Sequence, residues 1–176
     1  MKISRVGFIG VGKMGQAMIE KLAEAGFKVM AFDFDKEKLK EAGGLGAAKA
    51  KSISDLAKGL KKPKAIWLML PEGQFIDEII FGKYSLAKLL SKGDVIIDGG
   101  NSNFRDSMRR AGALKKKGIA FLDVGVSGGV HGAEHGLCMM IGGEKRAYEL
   151  CKSSLKVCLS QMGVSDILGK AAQAIS

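Results

Sequence analysis

Gly10-Val11-Gly12-Lys13-Met14-Gly15 sets three glycines at the G-x-G-x-x-G spacing, directly after an apolar run from Ile3 to Ile9. Such a loop suits a pyrophosphate: Gly10 permits a tight turn, Gly12 lets the phosphates approach the backbone, and Gly15 lets a helix pack closely on a strand. A helix opening at this point presents free N–H groups to the anion, so Val11, Lys13 and Met14 join the glycines as candidate cofactor contacts. Asp33 closes the next apolar run, 18 positions after Gly15 (33 − 15), near the spacing of about 20 at which an acid meets the adenosine ribose. A carboxylate there accepts a hydrogen bond from the 2′-hydroxyl and repels a 2′-phosphate. That favours NAD over NADP, with Lys36 and Lys38 nearby as a counterweight.

Two more loops have the composition of binding sites. In Ile97-Asp98-Gly99-Gly100-Asn101-Ser102 a Gly-Gly turn after a strand carries the Asn101 amide to the mouth of the nicotinamide site. Ser127-Gly128-Gly129 ends a later strand with one hydroxyl and two backbone N–H groups exposed, a set that suits the carboxylate and hydroxyls of a sugar acid. Met69-Leu70-Pro71 ends a strand facing the cofactor and lines its adenosine side, and Gln74 is either a cofactor contact or an exposed first-turn residue. Trp67, inside a strand, is expected in the core. His131-Gly132-Ala133-Glu134-His135 matches the H-x-x-E-H pattern of inverted zinc proteases. Glycines at 128, 129, 132 and 136 work against the regular helix that would aim both imidazoles at one ion, and the chain has no third histidine; no metal site is expected.

The elements that must hold these loops alternate short Val- and Ile-rich runs with longer helical patterns, the sequence form of βαβ units. Strands are expected at Ile3 to Ile9, Lys28 to Phe32, Ala65 to Leu70, Val95 to Asp98, Ala120 to Val124 and Cys138 to Ile141. Helices are expected at Met14 to Ala25, with Met14, Met18, Leu22 and Ala25 on one face, and at Ser52 to Leu60, Asn103 to Lys117 and Glu144 to Leu159, with Gly26, Gly93 and Gly118 as stops. The fold class is α/β, a Rossmann-type doubly wound and mostly parallel sheet, with ligands at the carboxyl ends of the strands. A dinucleotide-binding domain over 1–162 is followed by an atypical tail over 163–176.

With 176 residues, 47% of them hydrophobic, the chain has enough apolar surface for one core. Its 28 basic and 18 acidic side chains leave a formal charge of +10. The lysines are spread along the helices rather than gathered in a stripe, which points to an anionic small molecule and not to nucleic acid. Cys138, Cys151 and Cys158 lack metal spacing and suit reduced thiols, with Cys151 and Cys158 on one helical face in the core. No apolar stretch reaches the length of a membrane span or the pattern of a signal peptide, so a soluble cytoplasmic protein is expected.

Taken together, the Gly10 to Gly15, Ile97 to Ser102 and Ser127 to Gly129 motifs resemble the N-terminal domain of the 6-phosphogluconate dehydrogenases, within the β-hydroxyacid dehydrogenase group, over about residues 3–160. The family's common form has an Asn-Arg pair where this chain has Asp33-Phe34, so the resemblance is to the NAD-using branch; the missing arginine is the cation that would hold a 2′-phosphate. The Ile97 to Ser102 loop separates the chain from the 3-hydroxyisobutyrate dehydrogenases. Val130-His131-Gly132 departs from the family, which has two acidic residues there.

The resemblance implies oxidation of 6-phosphogluconate at C3, loss of carbon dioxide from the β-keto acid, and ribulose 5-phosphate as product. It places Asn101 against both substrate and nicotinamide, and Ser127, Gly128 and Gly129 against substrate. It also implies a lysine general base and a glutamate general acid in a segment like G-x-G-H-F-x-K-M, and a helical domain that supplies most of a dimer contact. The chain is expected to bind dinucleotide without turning over alone, because its last residues do not resemble that segment. Back-translated with suitably chosen synonymous codons and read two nucleotides later, Asp166 to Ser176 can give Tyr-Ser-Gly-Lys-Gly-Gly-Ser-Gly-His-Phe, which is the expectation for an out-of-frame remnant. Another β-hydroxyacid dehydrogenase and a non-catalytic dinucleotide-binding module are the alternatives.

Overall fold

The computed structural model describes residues 3–128, 132 and 136–159. The chain runs β1 (Arg5–Ile9), α1 (Lys13–Glu24), β2 (Lys28–Phe32), α2 (Lys36–Gly44), β3 (Ala47–Lys49), α3 (Ile53–Gly59), β4 (Ala65–Leu68), α4 (Gln74–Ile80), α5 (Leu86–Leu89), β5 (Val95–Asp98), α6 (Phe104–Lys115), β6 (Ala120–Ser127), β7 (Cys138–Gly143) and α7 (Lys145–Cys158). The strands form one sheet in the order β3-β2-β1-β4-β5-β6-β7. All neighbours are parallel except β6 and β7, which pair antiparallel. The winding direction reverses between β1 and β4, and ligands of open α/β sheets bind at such a point.

The central strands are buried on both faces, so they carry unbroken apolar runs instead of an alternation. Val6, Phe8, Trp67, Ile97 and Leu122 face α1 and α7, where Met18, Ile19, Leu22, Cys151 and Leu155 close one half of the core. Ile9, Ile66, Leu68 and Ile96 face the other way, against Leu56 of α3, Ile76 and Ile79 of α4 and Leu114 of α6. Trp67 is fully buried and stacks on Phe8 with ring centroids 5.9 Å apart, as expected of a core residue. Cys151 and Cys158 are buried in the same half, and burial pushes both thiols up to about 12. Cys138, on β7, is exposed.

Several boundaries differ from the sequence expectation. Ala25 is not on the buried face of α1: it is the C-cap, exposed, and the chain leaves through Gly26 at φ 82°. The strand β6 continues to Ser127 because β7 pairs with its second half. Gly93 lies in the turn before β5, with φ 91°, four residues past the end of α5 (93 − 89), rather than directly at a helix stop. Three elements, α2, β3 and α5, were not expected at all, and α4 was expected only through the first-turn alternative for Gln74, its exposed first residue. The segment from His131 to His135 lies outside the described residues apart from Gly132, as does the tail from residue 160. Among the described residues, no helix is long and apolar enough to cross a membrane.

Leu22 sits fully buried where α1 meets the sheet. Leu22→Ala should cost about 2–5 kcal/mol, the range for emptying a packed leucine site, read as a lower urea midpoint at unchanged slope. A loss under about 1 kcal/mol would contradict this packing.

Candidate functional site

The loops after β1 and β4 pass each other at the switch point. Gly10 adopts φ 88°, and a Cβ there would run into the Met69 carbonyl. A Cβ at Gly15 would come within 2.8 Å of the Gly10 carbonyl oxygen. Met69 N–H donates to the Ile9 carbonyl at 2.9 Å, holding the two loops side by side. Leu70 is buried, part of the core half that includes Ile76 and Ile79, and Pro71 and Gln74 are exposed.

Gly12 differs from the other two glycines because nothing lies within 4 Å of where its Cβ would be. It is the N-cap of α1, which has neither a side-chain cap nor an acid in its first turn. By contrast, Asp35, Ser52 and Asn103 cap α2, α3 and α6 with their side chains. The first N–H groups of a helix have no partner within it, so Lys13, Met14 and Gly15 present donors and the positive end of a helix dipole to open space. A dinucleotide's pyrophosphate fits this cradle, and exposed Lys13 adds a cation.

Asp33 stands at the end of β2, partly exposed. Its Oδ2 accepts from Val11 N–H at 2.7 Å and its Oδ1 from Asp35 N–H at 2.9 Å. The Val11 carbonyl in turn accepts from Gln16 at 3.1 Å. Val11 therefore serves to tie Asp33 to the glycine loop, and each carboxylate oxygen retains a second lone pair for a ribose hydroxyl. Beside Asp33, the 47% exposed Phe34 ring packs against Phe32, Phe75 and Tyr84, with centroids 5.1, 5.7 and 5.1 Å away. Lys38 pairs with Asp35 at 3.5 Å, an exposed contact of small energetic weight.

On the other side of the switch point Asn101 occupies a left-handed backbone position, φ 57°. Its side-chain amide donates to the Val126 carbonyl at 3.1 Å, and its carbonyl oxygen accepts from Val126 N–H at 2.8 Å. It thus pairs with β6 as a strand residue would, and keeps one N–H and one lone pair for a ligand. Ser127 and Gly128 follow directly, both exposed. The structure therefore brings Asn101 beside Ser127 and Gly128; Gly129 lies outside the described residues.

Beneath these loops lies a cluster that the sequence did not reveal. Arg110, fully buried on α6, donates to both oxygens of Asp77 at 3.1 Å each, to the Gly73 carbonyl at 3.1 Å, to Ser102 Oγ at 3.0 Å and to Asp98 Oδ2 at 3.4 Å. Asp98 also accepts from Gly100 N–H at 3.0 Å and from Ser102 Oγ at 2.8 Å. The only hint in the sequence is an arginine on the buried face of a helix, with Ser107 and Leu114. A cleft of about 670 Å³ at the opposite edge of the sheet, lined by Lys62, Lys92, Asp94, Arg146 and Glu149, includes none of these residues. The motif loops converge at the carboxyl edge instead, at the switch point.

Burial acts to raise the Asp77 carboxyl, but hydrogen bonds from Arg110 and Arg109 outweigh it and hold the group below its ordinary 3.8. Asp123, register partner of Asp98, is pushed up, chiefly by burial and also by the Asp98 charge, against Ser107 and Arg110. A lowered Asp77 contributes stability that is present above the unfolded value and lost as pH falls through the native one. A raised Asp123 weakens the fold once ionised and is without effect below pH about 3.8, where it is protonated in both states. Asp77→Asn should therefore cost about 3 kcal/mol at pH 7, toward the low end for breaking a buried pair because Asp98 still faces Arg110. Asp123→Asn should raise the melting temperature at pH 7, and both differences should shrink below pH about 4. Effects independent of pH would contradict these charge assignments.

A family model for the NAD binding domain of 6-phosphogluconate dehydrogenase matches residues 5–165. The decarboxylating 6-phosphogluconate dehydrogenase of Aggregatibacter actinomycetemcomitans is 42% identical over 156 residues, 86% of this chain and 32% of that protein. The NAD(+)-dependent decarboxylating enzyme of Haloferax volcanii is 41% identical over 145 residues, 82% of this chain and 46% of its own length. Among solved structures, Plasmodium falciparum 6-phosphogluconate dehydrogenase, described with NADP+ and with 6-phosphogluconate, superposes with a TM-score of 0.80 at 35% identity, covering 90% of this chain and 35% of that one. Solved 3-hydroxyisobutyrate dehydrogenases, below 25% identity, share the fold alone. The chain spans about a third to a half of the length of these curated relatives, and it belongs to the family of NAD-binding domains of the 6-phosphogluconate dehydrogenases.

Proposed function

We propose that this chain is the cofactor-binding part of an NAD-preferring 6-phosphogluconate dehydrogenase, which oxidises and decarboxylates 6-phosphogluconate to ribulose 5-phosphate. The observation that carries the cofactor preference is Asp33, anchored by Val11 and Asp35 at the adenosine end with Phe34 as its neighbour. A fixed carboxylate favours a ribose hydroxyl and opposes a phosphate, and an aromatic ring offers that phosphate no counter-charge. The NAD(+)-dependent relative agrees with this preference. When bound, the nicotinamide accepts the electron pair and hydrogen leaving C3 of the sugar acid.

The chain's own residues bind and orient. Gly10 and Gly12 shape the turn, while Lys13, Met14 and Gly15 hold the pyrophosphate from the helix end. Met69, Leu70 and Pro71 form the wall on the adenosine side. Asn101 faces both nicotinamide and substrate with its remaining N–H and lone pair, and Ser127, Gly128 and Gly129 receive the sugar acid's carboxylate and hydroxyls. Proton transfer at the substrate falls to the family's lysine and glutamate, and the residues described here bind and orient the dinucleotide and the sugar acid. Ile97 to Ser102 favours 6-phosphogluconate over 3-hydroxyisobutyrate.

Fluorescence titration tests the assignment. NADH should bind at least about tenfold more tightly than NADPH, a difference of about 1.4 kcal/mol, and Asp33→Ala should narrow that gap. Equal affinities in the parent protein would remove the role given to Asp33.

A further inference from the structure

The loop that carries Asn101 and the loop that ends at Gly73 come from different βα units, and one buried side chain touches both. A guanidinium has five N–H donors in a fixed fork. Arg110 directs all five into this space: two to Asp77, one to Gly73, one to Ser102 and one to Asp98. Asp98 then takes Gly100 N–H and the Ser102 hydroxyl, which brackets Asn101 on both sides. Asn101, held in a left-handed conformation that a non-glycine residue rarely adopts, passes the register on to Val126 through two hydrogen bonds, one residue before Ser127. The result is a continuous relay along the carboxyl edge of β4, β5 and β6, with Arg110 at its centre.

We propose that Arg110 is a positioning residue that fixes Asn101, and through it the start of the Ser127-Gly128 loop, relative to the cofactor groove. The inference rests on the assignment of Asn101 to the nicotinamide end of that groove. None of the groups at the adenosine end, Asp33 or Gly10 to Gly15, is bonded to Arg110 in the contacts above. The two halves of the dinucleotide should therefore depend on Arg110 unequally. An ordinary stabilising arginine would affect them alike, through folding.

Arg110→Lys keeps the charge but cannot hold Asp77 and Asp98 at once, because an ammonium lacks the planar fork. On the full chain, the variant should weaken NADH binding by about tenfold, and ADP-ribose, which lacks the nicotinamide, should bind within about twofold of the parent. Hydrogen exchange supplies a readout that needs no ligand: the amides of Gly100 to Ser102 should exchange about tenfold faster, with those of β1 and β2 unchanged. If the lysine variant does not fold, Ser102→Ala, which removes the hydroxyl between Arg110 and Asp98, should give the same pattern at smaller amplitude. Unchanged exchange at Gly100 to Ser102 would overturn the proposal, and so would equal losses for NADH and ADP-ribose. If the parent binds neither ligand, the cofactor assignment fails while the exchange result still decides the role of Arg110.

Discussion

Backbone must pass backbone where the carboxyl ends of β1 and β4 diverge, and this close approach governs the rest of the structure. Gly10 turns there at φ 88°, and neither it nor Gly15 has room for a side chain, so α1 begins hard against the Met69 loop. The position and direction of α1 follow from that contact, and its apolar face of Met18, Ile19 and Leu22 then closes one half of the core. The same approach leaves Gly12 facing open space at an uncapped helix start. Close packing below and open space above the helix start are two consequences of one turn, and the second is what the proposed pyrophosphate contact uses.

Charge is distributed along the carboxyl edge according to what each part has to hold. At the end of β2, Asp33 is held by the backbone N–H groups of Val11 and Asp35, which leave each carboxylate oxygen a lone pair for a ligand. In the middle, the buried Arg110 pairs with the buried Asp98 and the partly exposed Asp77, in surroundings where an unpaired guanidinium would be severely penalised. At the far end Asn101 meets β6 with a neutral amide that lines up with the backbone hydrogen-bonding groups of Val126.

The parts of the fold that were legible in the sequence are those with strong local signals. Apolar runs marked six of the seven strands, and the glycine spacing marked the turn into α1. The strand β3 was not legible because it is a three-residue edge strand with only Ala47 buried. The helix α2 is polar nearly all round, with Ala42 alone buried, and its Asp35 cap is the feature that announces it. The short helices α4 and α5, seven and four residues long, lack the two turns over which helical periodicity becomes visible. At the site, Asp33 and Asn101 stood out by residue type and position, but what they bind did not. The partners of Asn101 are 25 residues away and those of Arg110 as many as 37, separations at which only the folded sheet brings groups together.

The central claim is that a dinucleotide lies across the carboxyl edge of the sheet, from Asp33 over Gly12 to Asn101. Backbone amide chemical shifts recorded while NADH is added to the isotopically labelled protein test this most directly. The account predicts saturable shifts at Gly12 to Gly15, at the residues following Asp33, at Met69 and Leu70, and at Gly99 to Ser102, with the opposite edge unaffected. Shifts confined to Lys62, Lys92 and Arg146, around the cleft at the amino edge, would contradict it, as would no shifts at all.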